Sequence, residues 1–284
     1  MFLKRVKIKL LQHNDMKRLL SVLTVVFILV NGIEIRVFAD NSLEEVLRII
    51  DNDYYYEVSQ DTKRKIERIK NDTSDEETKI SGITELLDSY STYYTAEYCK
   101  TLSTEETQKS VNGFQTVDSV YIKIDAFDSA SYNEFERIMN SGNTDGKALY
   151  IDLTDCGGGF ITAMLKIAEW VIPPGVICTA KFKDSEKVYE SKYNANYNPY
   201  REVYAIVSEK TASAGEILAG ALMLYGNEVI GTESTFGKTS IQQLLLLETG
   251  GILKITVGEY LVGADWNITN TGINPVLLAK EMSR

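Results

Sequence analysis

The feature that most restricts the fold is a change of hydrophobic period along the chain. From residue 120 to residue 235, compact apolar runs alternate with stretches of helical spacing. Val120–Phe127 (VYIKIDAF) alternates as a strand does, and Ser131–Met139 reads as a helix. Ala148–Leu153 (ALYIDL) is a buried strand that runs into Gly157-Gly158-Gly159. Ile161–Val171 sets Met164, Ile167 and Ala168 on one helical face. Val203–Val207 (VYAIV) is another buried strand, Ile217–Tyr225 an apolar helix and Glu228–Ile230 a short strand. Strands that alternate with helices bury their apolar faces as layers, which predicts an α/β core. Ile241–Leu247 and Ile252–Val262 add a strand pair joined at Gly250-Gly251. Residues 119–284 form this core.

The preceding residues have a different pattern. Asp40–Tyr56, Asp61–Ile69 and Glu76–Leu87 are amphipathic helical stretches, with Asp72–Asp75 as a turn and helix cap. An aromatic loop, Ser89–Tyr94, follows, so residues 40–98 make a small helical region. Residues 99–118 are polar and weakly patterned, as a linker is. At the start of the chain, Lys17 and Arg18 precede the apolar run Leu19–Val30, and Val37-Phe38-Ala39 fits a signal-peptidase site. Twelve apolar residues are short for a span of about 20. Residues 1–39 are therefore expected to be a cleaved signal, with a retained membrane anchor as the alternative. Either places the protein outside the cytoplasm, secreted or held at the outer face of the cell membrane. Met16 is an alternative start.

Charge narrows the partners. The 284 residues carry a net −10. Residues 1–39 hold seven Lys/Arg against two Asp/Glu, or +5, which leaves −15 for residues 40–284. A body this acidic lacks the basic face that nucleic acid requires. Membrane contact is expected only through an uncleaved N-terminal anchor.

The chain has one histidine, His13, inside the segment expected to be lost. No histidine-based triad, dyad or zinc site can form without it. Cys99, Cys156 and Cys178 match no metal-ligand spacing. They are either scattered small apolar residues or one disulfide with a free thiol.

Three segments could carry chemistry without imidazole. In Asp152–Gly159 a buried strand opens into three glycines, whose bare backbone can present N–H groups to an oxyanion or simply make a tight turn. In Thr211-Ala212-Ser213-Ala214-Gly215-Glu216, Ser213 sits at a strand-to-helix junction, where a helix N-terminus favours developing negative charge. The same spacing, Ser213-x-x-Glu216, is also a capping box. In Thr235–Gln242, Lys238 lies among apolar neighbours, where desolvation lowers a lysine pKa and makes the amine a usable base. Gln242 is four residues on, on the same face, placed to orient that amine, although a surface Lys–Gln pair reads the same way. Gly237-Lys238-Thr239 is not a phosphate loop, because the required first glycine position, 232, is threonine.

Together these residues resemble the carboxy-terminal processing (tail-specific) proteases, which are Ser-Lys peptidases. Thr211–Glu216 followed by Ala219-Gly220-Ala221-Leu222 is similar to the segment around that family's serine. Thr235–Gln242 (TFGKTSIQ) is similar to the segment around its lysine and glutamine. Asp152–Gly159 matches its glycine loop, Leu87–Tyr94 (LDSYSTYY) its aromatic segment, and Gly272-Ile273-Asn274-Pro275 its ending. The resemblance implies a ClpP/crotonase-like α/β core, a protein or peptide substrate, and no metal or organic cofactor. It implies Ser213 as nucleophile, Lys238 as base and Gln242 as orienting amide, with Gly158, Gly159 and Ala214 forming the oxyanion and substrate-binding backbone. It leaves an oligomer open.

The chain departs from the pattern at Gly157, where the family has proline, and at Thr154, where it has arginine. Residues 99–118 also occupy the place of a PDZ domain, which needs about 80–90 residues. Capture of a substrate's C-terminus by strand addition is thereby in question. A catalytically silent or partner-activated peptide-binding protein on the same fold is the alternative reading.

Overall fold

The computed structural model describes residues 42–102, 109–198 and 201–277. The expected signal or anchor, residues 1–39, and His13 lie outside the described residues.

Three helices open the described chain: α1 (Ser42–Asn52), α2 (Gln60–Lys70) and α3 (Glu76–Thr84). Ser59 and Asp75 cap the second and third, accepting hydrogen bonds from the N–H groups of Thr62 and Thr78. After β1 (Thr92–Tyr94) and α4 (Ala96–Leu102), the chain builds a six-stranded sheet. Its strands are β2 (Val111–Gln115), β3 (Ser119–Ile124), β4 (Ala148–Asp152), β7 (Val203–Val207), β8 (Glu228–Gly231) and β11 (Val276–Leu277), in spatial order β11-β8-β7-β4-β3-β2. The pairings from β3 to β11 are parallel and β2 is antiparallel at one edge. Parallel neighbours need crossovers, and helices supply them: α5 (Ser131–Met139) follows β3, α6 (Ile161–Val171) follows β4, and α7 (Ala214–Leu224) joins β7 to β8.

The second sheet is built on β10 (Ile252–Val262). On one side β10 pairs antiparallel with β9 (Ser240–Leu246). On the other it pairs with β1 through Lys254 and with β5 (Gly175–Phe182) from Gly258 onward; β6 (Glu186–Ser191) lies beyond β5. Helix α7 is buried continuously from Ala214 to Leu222, so it is an internal element rather than a surface one. Gly220 permits this: a side chain there would meet Val262 at 2.8 Å and Ile273 at 2.9 Å. The main core gathers Ile122, Leu149, Ile151, Ile167, Leu218 and Leu222. A second cluster packs Val46, Ile50, Ile80 and Ile83 against Leu245, Leu253 and Ile255. The N-terminal helices are thus fastened by hydrophobic burial to the sheet that carries β9 and β10.

The α/β class, the helical region and most strands agree with the sequence pattern. Residues 99–118 do not form a plain linker. They include the end of α4 and the edge strand β2, whose Val111 alone is buried while Asn112, Gly113 and Phe114 are exposed. An edge strand with one wet face has no apolar run to announce it. The aromatic loop contains β1, and β5 and β6 fall in a stretch with no sequence assignment. The disulfide alternative is not realised: Cys99, Cys156 and Cys178 are all buried free thiols.

Candidate active site

The site is assembled where α7 begins. Strand β7 ends at Val207, the chain turns through Thr211 and Ala212, and Ser213 precedes the helix with φ 55° and ψ −119°. A non-glycine residue in that region stores strain of about 1–3 kcal/mol. Such sharp strand-to-helix turns project a nucleophile clear of its neighbours. Surrounding hydrogen bonds hold the turn: Thr211 donates its hydroxyl to the Leu153 carbonyl at 2.7 Å, and the Ala212 N–H donates to the Cys156 carbonyl at 2.9 Å. Both bonds tie the serine turn to the glycine loop after β4.

The glycine loop lies directly against the serine. A Cβ on Gly158 (φ 104°) would stand 2.7 Å from Ser213 Cβ. One on Gly159 (φ 127°) would stand 2.2 Å from the Phe127 carbonyl oxygen. Only glycine meets both the torsion and the space at these positions. The Phe127 N–H donates to the Gly158 carbonyl at 2.8 Å and the Phe160 N–H to the Phe127 carbonyl at 2.6 Å, which leaves the Gly159 N–H outside that pairing. Burial pushes the Cys156 thiol up to about 12, opposed by a hydrogen bond from the Gly158 backbone. At the position where the resembled family has arginine, Thr154 binds Asp152 through its N–H (2.9 Å) and hydroxyl (2.6 Å), and Tyr121 donates its hydroxyl to the same carboxylate.

Glu216 unites the second and third segments. Its carboxylate is fully buried. One oxygen accepts from the Ser213 N–H at 2.9 Å and the Lys238 N–H at 2.8 Å. The other accepts from the Gly237 N–H and the Thr235 hydroxyl, both at 2.6 Å. In the sequence Glu216 reads only as a capping-box partner. The bond to Ser213 is that of the box, but three further donors come from around Lys238. No sequence spacing signals them, because they span 19 to 22 residues. Thr235 in turn accepts from the Ile273 N–H at 2.7 Å, which gives the Gly272–Pro275 segment its place beside the lysine loop.

Lys238 lines the same cleft as Ser213 and Gln242, a space of about 680 Å³. Its ammonium stands 4.7 Å from the centre of the Tyr90 ring. Burial holds its pKa below the usual lysine value, and the positive charge of Lys254 lowers it further, while Glu216 and Asp88 oppose the shift. Gln242, on β9, donates from Nε2 to the Thr256 hydroxyl at 3.3 Å. The structure thus brings Ser213, Lys238, Gln242, Ala214 and the glycine loop to one cleft. Among the described residues, no cluster of His, Cys, Asp or Glu could hold a metal ion.

Comparison with known proteins places this arrangement. The model of peptidase family S41 matches residues 118–277, which include the glycine loop, Ser213, Lys238 and Gln242. A carboxyl-terminal-processing protease of Picosynechococcus is 32% identical over 159 residues, covering 55% of this chain and 37% of that protein. A probable CtpA-like serine protease of Staphylococcus aureus is 29% identical over 157 residues, covering 54% of this chain and 32% of that protein. The matched stretch thus spans about a third of these relatives' length. Among solved structures, a photosystem II D1 C-terminal processing protease shares the fold with TM-score 0.52 and 24% identity, over 61% of this chain and 49% of that one. A lipoprotein from Streptococcus agalactiae superposes with TM-score 0.69 and 18% identity, over 88% of this chain and 98% of that one. With more than half of its residues matched by the family model, the chain belongs to peptidase family S41.

Proposed function

We propose that the protein is an endopeptidase that cleaves unfolded or tail-exposed proteins with a Ser213–Lys238 dyad through an acyl-enzyme. The observation that carries this reading is the shared Glu216 oxygen, which locks the backbones of Ser213 and Lys238 together at the mouth of one cleft. The lowered pKa of Lys238 supports its role as base, because only the neutral amine can take a proton.

In this mechanism Lys238 Nζ accepts the Ser213 hydroxyl proton as Oγ attacks the peptide carbonyl carbon. The N–H groups of Gly159 and Ala214, with the positive end of α7, hold the resulting oxyanion. Gly158 contributes the bare Cα that lets the loop approach. The C–N bond then breaks, and the lysine ammonium delivers its proton to the leaving amine. A water molecule, deprotonated by the same amine, attacks the acyl group, and the lysine returns the proton to Ser213 Oγ as the ester opens. We infer further that residues 1–39 export or anchor the protein, so that this chemistry takes place outside the cytoplasm. Their basic flank and short apolar run support that.

The test is incubation of the full chain, wild type against Ser213→Ala, with an unstructured protein substrate. Cleavage by the wild type alone supports the proposal. Binding of unfolded peptides without cleavage by either would favour a peptide-binding protein on the same fold.

A further inference from the structure

The segment Leu87–Tyr94 reaches the site through a gap in the second sheet. Along one side of β10, pairing with β1 stops at Lys254 and pairing with β5 begins at Gly258. Thr256 lies in the interval and is fully buried. Its carbonyl accepts from the Tyr55 N–H at 3.0 Å, its N–H donates to Ser91 Oγ at 3.2 Å, and its hydroxyl donates to Asp88 Oδ1 at 3.0 Å. Asp88 is itself held: Ser91 donates its hydroxyl to Oδ2 at 2.6 Å, the Tyr90 N–H donates to Oδ1 at 2.8 Å, and the Asp88 N–H donates to the Tyr54 hydroxyl at 3.0 Å.

This network has a directional consequence. A threonine hydroxyl has a single hydrogen, and a carboxylate only accepts. With that hydrogen committed to Asp88, Thr256 Oγ1 can only accept from its other neighbour, Gln242, which presents Nε2 to it at 3.3 Å. The flipped carboxamide would set two oxygens against each other with no proton between them. Oε1 is therefore the carboxamide atom left to accept, on a residue that lines the same cleft as Lys238.

We propose that Asp88 and Thr256 are positioning residues which, through Gln242, aim a carboxamide oxygen at the Lys238 ammonium and so orient the base toward Ser213. The same turn sets the Tyr90 ring 4.7 Å from the Lys238 ammonium, which shows that it borders the base. The groups acting on Lys238 are then Lys254 from β10, Glu216 from α7, and Asp88 with the Tyr90 ring from the turn. The N-terminal helical region becomes part of the catalytic apparatus rather than an appendage. This inference rests on the Ser-Lys reading.

Thr256→Val keeps the shape and the main-chain bonds while removing the hydroxyl. The first readout is independent of turnover: titration of Lys238 followed by NMR of its side chain. An oxygen accepting from the ammonium stabilises the charged form. The Lys238 pKa should therefore fall in Thr256→Val and in Gln242→Ala alike, fall no further in the double variant, and return in Thr256→Ser. The second readout is kinetic. We expect kcat to drop about tenfold with KM changed by less than about twofold, and the double variant to be no worse than Gln242→Ala. A Lys238 titration identical in wild type and Thr256→Val overturns the positioning role, as do additive losses in the double variant. Absence of any peptidase activity in the wild type would instead contradict the dyad, while the titration still decides the geometry.

Discussion

The backbone N–H groups of Ser213 and Lys238, 25 residues apart, converge on a single oxygen of the buried Glu216 carboxylate, at 2.9 and 2.8 Å. Charge-assisted bonds of this kind are about twice as strong as neutral ones. Their convergence makes the distance between the two loops a property of one side chain. Glu216→Gln preserves volume but sets an N–H₂ against N–H donors, and each stranded buried donor costs about 1–3 kcal/mol. The variant is expected to unfold at lower denaturant and to lose more than about tenfold in kcat/KM. Paired denaturation and kinetic measurements check both.

Lys254 acts on Lys238 through charge. Removing a like charge favours the protonated amine, so Lys254→Gln should raise the Lys238 pKa. With the neutral amine as the proposed base, the rising limb of log kcat/KM against pH moves to higher pH. Activity falls at neutral pH and recovers in alkali. A pH–rate profile measures the displacement.

Lys238 also links stability to pH. Its folded pKa lies below the ordinary lysine value of 10.5, so between those values the unfolded chain binds more protons than the folded one. Stability therefore rises with pH through that window and loses this contribution below the folded pKa. Lys238→Met removes the dependence and, by relieving the buried charge, is expected to raise Tm at neutral pH while abolishing cleavage. Calorimetry across the alkaline range follows it.

The glycine loop offers an internal control. A Cβ at Gly157 meets nothing within 4 Å, whereas one at Gly158 presses on Ser213 Cβ at 2.7 Å in a left-handed backbone. Gly157→Ala should leave kcat/KM within about threefold of wild type, and Gly158→Ala should lower it at least about tenfold. Comparison of the two by steady-state kinetics isolates the close approach from general loop stiffening.

Much of this was legible in the sequence because the informative residues are local. The spacing around Ser213 and Lys238 sits in short segments, and the strand and helix periods of β3, β4, α5, α6 and β7 follow burial on regular faces. Two kinds of feature escaped. Edge elements such as β2 and β6 carry too little buried surface to leave a period. Long-range polar pairing leaves no period either: Glu216 looked like a cap because only one of its four donors is local. The Asp88–Thr256 bond spans 168 residues.

In the proposed dyad, Ser213 is a nucleophile activated by Lys238. The most direct measurement is the pH dependence of covalent labelling by a serine-reactive acylating probe, with the modified residue mapped by mass spectrometry. Labelling is expected at Ser213, rising with pH toward a plateau reached below the ordinary lysine range, with none in Lys238→Met. Labelling elsewhere, or labelling of Ser213 that is equally fast in Lys238→Met, would contradict the dyad.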